Sequence, residues 1–245
     1  MADKNLNEWI LDKATPPEQA NPKKTTVKRI EFNSFGDKFA ALNMGGNLFL
    51  MNFDLETQSK VDPLFSTLQS SRLSDVRLSD FSFLDRDSIM AGVSLKDRVL
   101  NVYDGLLPPR QALVQSHTAG AGGNLMQVCS DTQRVLAFNA KPGYVSEYDL
   151  RKEGDCLSTK MLCKEEVTAV CLSPDQKLLI LGQNDGIVKI FEITPQGLVE
   201  KEAINAFGNV NGRRGSVTRL RFHPKKGALF ASSNAGCVKL LRLAV

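Results

Sequence analysis

The sequence predicts an all-β chain of about five four-stranded units arranged as a propeller, and three observations carry that expectation. A short register returns at a nearly fixed period, turn residues separate the apolar runs, and no window outside the first twenty residues sustains the 3.6-residue apolar period of a helix. The register is a turn residue, then alternating apolar positions, then an aromatic or apolar residue followed by a polar one. It is led by Gly46, Arg98, Gly143, Gly186 and Gly236, with steps of 52, 45, 43 and 50 residues. About 40 to 50 residues per unit is the propeller-blade period.

Each unit carries the interior that a blade needs. The fourth reads Val167–Leu172, a turn over Ser173–Lys177, Leu178–Gly182, then Asn184-Asp185-Gly186 leading into Ile187–Ile193. That is strand, turn, strand, hairpin, strand. Asp185-Gly186 between two apolar runs is a hairpin signal, and it predicts a type I′ turn with positive φ at both central residues. The fifth unit repeats the scheme from Val217 through His223–Gly227 to Ser232 and Gly236, and the first from Val27 through Asn33–Asp37 to Leu42. Blade units are expected at about 25–70, 78–116, 124–160, 165–204 and 216–245, within a repeat region of residues 25–245. Residues 1–24 form an N-terminal segment, helical or strand-like over 6–14, with a proline-bearing linker behind it.

Composition sets the class. The 245 residues are 42% hydrophobic and 24% charged, ordinary for a globular chain with a core. A net charge of +4 is mild, and without a dense basic patch nucleic acid is not an expected partner. No stretch approaches the roughly 20 apolar residues of a membrane helix, so direct membrane insertion is not expected. Met1 to Ala20 has no apolar core behind a basic start, so no secretory signal is expected either. The five cysteines, Cys129, Cys156, Cys163, Cys171 and Cys237, contain no CxxC pair, which fits reduced thiols in a cytoplasmic chain.

The repeat resembles the WD40 family of β-propellers in degenerate form. The pair that names the family stands here as Met51-Asn52, Tyr103-Asp104, Tyr148-Asp149, Phe191-Glu192 and Leu241-Arg242. Its Gly-His signature is absent, with Ser116-His117 the nearest remnant, and Asp185 holds the family's turn position without an obvious His partner. Tyr103, Asp104, Tyr148, Asp149, Asp185, Gly186 and Phe191 are therefore the expected blade-defining residues. Family blades have four strands, the fourth following the aromatic-polar pair, and Val245 comes three residues after Arg242. A sheet left open exposes unpaired N–H and C=O groups. Three solutions are open: the segment from Asn5 to Ala14 folds back as the missing strand, a partner supplies strands in trans, or five blades close by themselves.

Binding residues are expected on the connecting loops, because loops held by a rigid scaffold are the usual binding sites. Asp54 to Asp80 reads as a long loop carrying Arg72 and Arg77, and Ala206 to Ser216 as a flexible basic tip carrying Arg213 and Arg214. These four arginines are the candidate interaction rim, suited to acidic protein surfaces; the bland alternative is four solvated side chains. Catalytic candidates are thin. The two histidines, His117 and His223, lie in strand and turn contexts, and no Gly-x-Ser-x-Gly elbow exists. Gly120-Ala-Gly-Gly123 lacks the Gly-Lys-Ser/Thr of a phosphate loop and leads into a strand, so no helix dipole stands behind it. The cysteines lack zinc spacing. No catalytic residue, cofactor or metal is expected, and the chain reads as a non-enzyme.

Three segments resemble a narrower group, the C-terminal propeller of the DmX-like/rabconnectin family. They are Val27–Ala40 with Gly45–Met51, then Asp80–Leu84 with Ile89–Ser94, then Val99–Pro109, with Tyr148-Asp-Leu-Arg151 closing the following unit. The resemblance covers residues 27–193 and weakens beyond. It implies a scaffold that helps assemble or regulate the vacuolar proton-pumping ATPase, with pump subunits or assembly factors as partners and a place at endosomal or vacuolar membranes. The alternatives are a scaffold of another complex (ciliary, trafficking or RNA-processing) and a propeller-based hydrolase.

Overall fold

Residues 26–52, 63–66, 76–84, 88–107, 111–118, 120, 123–129, 133–139, 143–208, 215–223 and 227–242 are described in the structure, a computed structural model. They form strands and turns and no helix, in five mainly antiparallel sheets. The fold class is an all-β, WD40-like propeller of five blades. The strands fall into two compact units. The expected N-terminal strand or helix over 6–14 lies outside the described residues.

The first unit holds two sheets. One is β1 (Val27–Phe32), β2 (Lys38–Asn43), β3 (Leu48–Asn52) and β4 (Pro63–Ser66), hydrogen-bonded in that order. The strand β4 lies inside what reads from sequence as the loop Asp54–Asp80. A proline at the start of an edge strand costs no ladder bond, so Pro63 does not forbid it. The other sheet is β5 (Asp80–Phe83), β6 (Ile89–Ser94), β7 (Val99–Asp104) and β8 (Leu113–Thr118).

The second unit begins with β9 (Leu125–Cys129), β10 (Arg134–Asn139) and β11 (Gly143–Asp149). The chain then passes through β12 (Gly154–Asp155), which pairs in parallel with β8 and belongs to the first unit. It returns as β13 (Ser158–Cys163), the fourth strand beside β11. The next blade is β14 (Val167–Leu172), β15 (Leu178–Gln183), β16 (Ile187–Thr194) and β17 (Gly197–Asn205). The fifth is β18 (Val217–Phe222), β19 (Ala228–Ser233) and β20 (Val238–Arg242), three strands among the described residues, hydrogen-bonded in that order.

The blades share one register. The aromatic or apolar position pairs with the second residue of the preceding strand as Phe39↔Met51, Met90↔Tyr103, Val135↔Tyr148, Leu179↔Phe191 and Leu229↔Leu241. Tyr103, Tyr148 and Phe191 are buried there, and the polar residues Asp104 and Asp149 end their strands. Bulges recur at the second residue of β1, β14 and β18, between Val27 and Arg29, Val167 and Ala169, and Val217 and Arg219. An extra residue there re-aims the side chain of Lys28, Thr168 and Thr218 relative to the ladder.

The hairpin at Asp185-Gly186 differs in type from the sequence expectation. Only Gly186 is left-handed (φ 86°); Asp185 keeps negative φ and its Oδ1 accepts from the Ile187 N–H at 3.1 Å. Gly186 N–H donates to the Gln183 carbonyl, so a type I turn ends in a left-handed residue, the three-residue alternative to type I′. Gly46 (φ 83°) and Gly236 (φ 77°) repeat it, and Arg98 (φ 55°) takes the same slot.

Each unit has its own core. In the first, Ala40, Leu42, Leu48 and Leu50 pack with Leu78, Phe81, Met90 and Tyr103. In the second, Ile180, Val188 and Ile190 pack with Val217, Leu220, Leu229 and Ala231. Full burial of one such Leu or Ile stabilises by about 1.5 to 3 kcal/mol, and blade-to-blade packing supplies it because a lone sheet leaves one face wet.

Candidate interaction surfaces

Of the expected rim, Arg77 is the residue the structure describes; Arg72, Arg213 and Arg214 lie outside the described residues. Arg77 is exposed just ahead of β5, and its N–H donates to Asp97 Oδ2 at 3.3 Å. The backbone of Gly46 lies so close that a Cβ there would meet Arg77 Cβ at 2.8 Å. Left-handed φ and this approach together explain the glycine. Arg77 lines a cleft of about 310 Å³ with Lys28 and Lys96, and Met44 and Leu95 stand exposed beside them. Lys28 Nζ donates to the Ser79 carbonyl. Three cations with two apolar neighbours suit an acidic, partly apolar ligand, and salt would screen that attraction. Lys28 on β1 and Lys96 in the turn after β6, neither of them in the expected rim, stand beside Arg77 in this cleft.

Of Ala206–Ser216, the expected basic tip, residues 209–214 lie outside the described residues. Phe207 is 1% exposed in the core, with Lys239 Nζ 5.6 Å from its ring centroid. The Gly186 carbonyl accepts the N–H groups of Ala206 (3.1 Å) and Phe207 (3.0 Å), which fixes that connection.

Within the two units, the contacts joining the first blade to the second and the fourth to the fifth are polar at the inner strand and apolar beyond it. Arg29 on β1 pairs with Glu31 at 2.6 Å and with Asp80 on β5 at 2.8 Å, and lies 5.5 Å from the Phe81 ring centroid. Burial works against the Arg29 charge, but Asp80 and Glu31 more than offset it and raise its pKa. Glu31 Oε1 accepts from Ser82 Oγ at 2.7 Å and from the Phe83 N–H at 3.0 Å. In the second unit Thr168 Oγ1 donates to the Val217 carbonyl at 2.5 Å, at the bulge position that Lys28 holds in the first.

The outward face of the last blade is the second surface. Its second strand, β19, alternates buried and wetter residues, where β2, β6 and β15 are buried throughout after their first residue. Phe230, Val238 and Leu240 are 43%, 69% and 52% exposed. Arg219, Arg221 and Arg242 are exposed too and share their face by register.

His117 is 1% exposed on β8, with Nδ1 3.1 Å from the Gly154 carbonyl, where β12 docks. Cys129, Cys163 and Cys171 are buried and Cys156 and Cys237 half-buried, all as free thiols. Burial pushes the Cys163 and Cys171 thiols up, which keeps them uncharged and weakly nucleophilic. Tyr103 is pushed up to about 12 by burial, partly opposed by the Asn101 hydrogen bond. Asn101 Nδ2 donates to its hydroxyl at 3.0 Å while Asn101 Oδ1 accepts from Ser116 Oγ at 2.8 Å. Among the described residues no cluster of His, Cys, Asp or Glu is placed to hold a metal, and no helix is long and apolar enough to cross a membrane.

No family model matches the chain. Among characterised proteins it is similar to human DmX-like protein 1, 24% identical over 181 residues, and to mouse DmX-like protein 1, 23% identical over 182. Either alignment covers 71% of this chain and 6% of the relative, so the chain spans a small part of the length of the proteins it matches. With the five-bladed fold, that similarity identifies the chain as a WD40-like propeller resembling the DmX-like family.

Proposed function

We propose that this chain is a non-enzymatic protein-interaction scaffold that helps assemble or regulate the vacuolar proton-pumping ATPase. The observation that carries the reading is the alignment with DmX-like protein 1 over 71% of the chain. The fold supports its scaffold component: rigid blades present a cationic cleft at Lys28, Arg77 and Lys96 and an open face at Phe230 and Leu240. Such surfaces recognise acidic and apolar protein patches. The partners are pump subunits or assembly factors, met at the cytoplasmic side of endosomal or vacuolar membranes.

The test is affinity purification of the full chain from cells, with quantitative mass spectrometry, alongside the membrane-bound share of the pump's catalytic sector with and without the chain. Recovery of pump subunits and a drop in that share on deletion are expected. Recovery of axonemal, coat or ribosomal proteins in their place, with the share unchanged, removes the pump and leaves a scaffold of another complex.

A further inference from the structure

The joint between the first and second blades and the joint between the fourth and fifth are built alike and can be compared position by position. Lys28 and Thr168 hold the same bulge, and each donates across its joint to a backbone carbonyl, that of Ser79 or of Val217. Arg77 stands against the hairpin glycine Gly46 as Gly215 stands against Gly186. The residue that opens each hairpin turn is Met44 or Leu95 at the one joint and Asn184 or Asn234 at the other. Lys96 follows Leu95 where Ala235 follows Asn234.

At the joint of the fourth and fifth blades these places are all neutral, and Asn234 serves the joint itself, its Oδ1 accepting the Ser216 N–H at 2.8 Å. At the joint of the first and second they carry three cations and two apolar side chains that the joint does not use. Met44 is 61% and Leu95 39% exposed, and Arg77 and Lys96 are exposed as well. Among the described residues neither the Arg77 guanidinium nor the Lys96 ammonium has an ion-pair or hydrogen-bond partner. Lys28 keeps two of its three ammonium protons after the Ser79 carbonyl takes one. No Asp or Glu lines the cleft. Asp97, beside it, is held in its own turn by the Arg77 N–H and by Ser94 Oγ at 2.8 Å.

We infer that this cleft docks a short extended segment of a partner protein, which sets carboxylates against Arg77, Lys96 and Lys28 and an apolar side chain against Met44 and Leu95. The inference deepens the interaction-scaffold reading and rests on it. Charge fixes the sign of the occupant, because uncompensated cations in a concave site focus a positive potential. Size fixes its kind: about 310 Å³ takes a few side chains, whereas two folded surfaces bury about 800 Å² on each side. The apolar pair favours a peptide over a bare anion, since exposed apolar surface gains only from a ligand that covers it. The unbranched thioether of Met44 can adjust to that side chain.

The test uses the full chain and two sets of fluorescein-labelled octapeptides on a glycine-serine background. Members of the first carry three glutamates and one phenylalanine, which is moved through the sequence; the second set has glutamine for each glutamate. Saturable binding within the first set is expected, weakening as salt rises, with the glutamine set silent. Combining Arg77→Gln with Lys96→Gln should weaken it about ten-fold or more, the scale of an interface hot spot, without moving the thermal midpoint because both side chains are exposed. Lys152→Gln with Lys164→Gln removes the same charge from exposed sites that do not line the cleft and should leave binding unchanged. Met44→Ser with Leu95→Ser should erase the preference among phenylalanine positions.

Equal binding of the glutamine set, no binding of either set, or equal loss in the two charge variants overturns the proposal. Binding to vesicles that contain phosphatidylserine, with the peptides inert, overturns it in favour of a lipid surface. A concentration-dependent dimer abolished by Arg77→Gln with Lys96→Gln overturns it in favour of a second copy. Peptide binding without recovery of pump subunits leaves the cleft standing and removes the pump; pump recovery undiminished in the cleft variant does the reverse.

Discussion

Arg29 and Asp80, 51 positions apart, meet at 2.8 Å and tie the innermost strand of the first blade to that of the second. Asp80 is 6% exposed in its side chain and Arg29 28%, so the pair is sheltered from screening at one end. Asp80→Asn keeps the shape and removes the charge that supports a half-buried guanidinium. A loss of about 1 to 3 kcal/mol is expected, the range for a charged hydrogen bond with a desolvated partner. Urea unfolding measures it; an unchanged midpoint would mean that solvent or Glu31 satisfies Arg29 instead.

Thr168→Val removes a hydroxyl whose one proton goes to the Val217 carbonyl (2.5 Å), with the Gly182 carbonyl 3.2 Å from the same oxygen, at little change in volume. The carbonyl left unmet between two blades should cost about 1 to 2 kcal/mol. Thr218→Val, at the matching bulge, loses only an exposed contact with Ser232 Oγ and should cost a few tenths at most, roughly the surface-substitution range. Paired denaturation curves of the two variants read the difference directly.

Gly186→Ala and Gly236→Ala separate backbone strain from crowding. Both residues are left-handed, and that alone costs an alanine about 1 to 2 kcal/mol. Gly186 adds backbone atoms at 2.6 Å, so its variant should lose about 1 to 3 kcal/mol more by overpacking. Equal midpoints in thermal melts would contradict the crowding.

Tyr103 predicts an alkaline fall in stability. Its folded pKa is raised to about 12 from an ordinary 10.0, chiefly by burial. The protection is therefore complete below pH 10 and is lost between pH 10 and 12, as the unfolded chain releases a proton that the folded chain keeps. Two pKa units correspond to about 2 to 3 kcal/mol. Tyr103→Phe should flatten that fall while costing about 1 kcal/mol at neutral pH, because Asn101 loses its acceptor. Ultraviolet titration with parallel melts checks both parts.

Strand order and hairpin position were legible because alternation and turn chemistry are local. Val167–Leu172, Ser173–Lys177 and Asp185-Gly186 each announce their own conformation within a few residues. Turn type was less so, since Asp-Gly serves both the type I′ turn and the type I turn ending left-handed. The strand at Pro63–Ser66 and the parallel pair at Gly154–Asp155 were not legible: one opens on a proline and the other is too short to alternate. Burial of Phe207 was hidden by its glycine-rich, basic neighbours. Arg77 was legible as a basic loop residue, but its grouping with Lys28 and Lys96 depends on blade-to-blade packing. The fifth-blade face left a signal that aligning units exposes: Val-Thr-Arg-Leu-Arg-Phe stands where the fourth unit has Val-Thr-Ala-Val-Cys-Leu.

The docking platform is tested most directly by photocrosslinking in cells, with benzoylphenylalanine in place of Leu240 and, as control, of Leu106, which is 72% exposed. Crosslinks from position 240 to a pump subunit or assembly factor, and none from position 106, are expected. Crosslinks from position 240 that stay within the chain, or that match those from position 106, would contradict it.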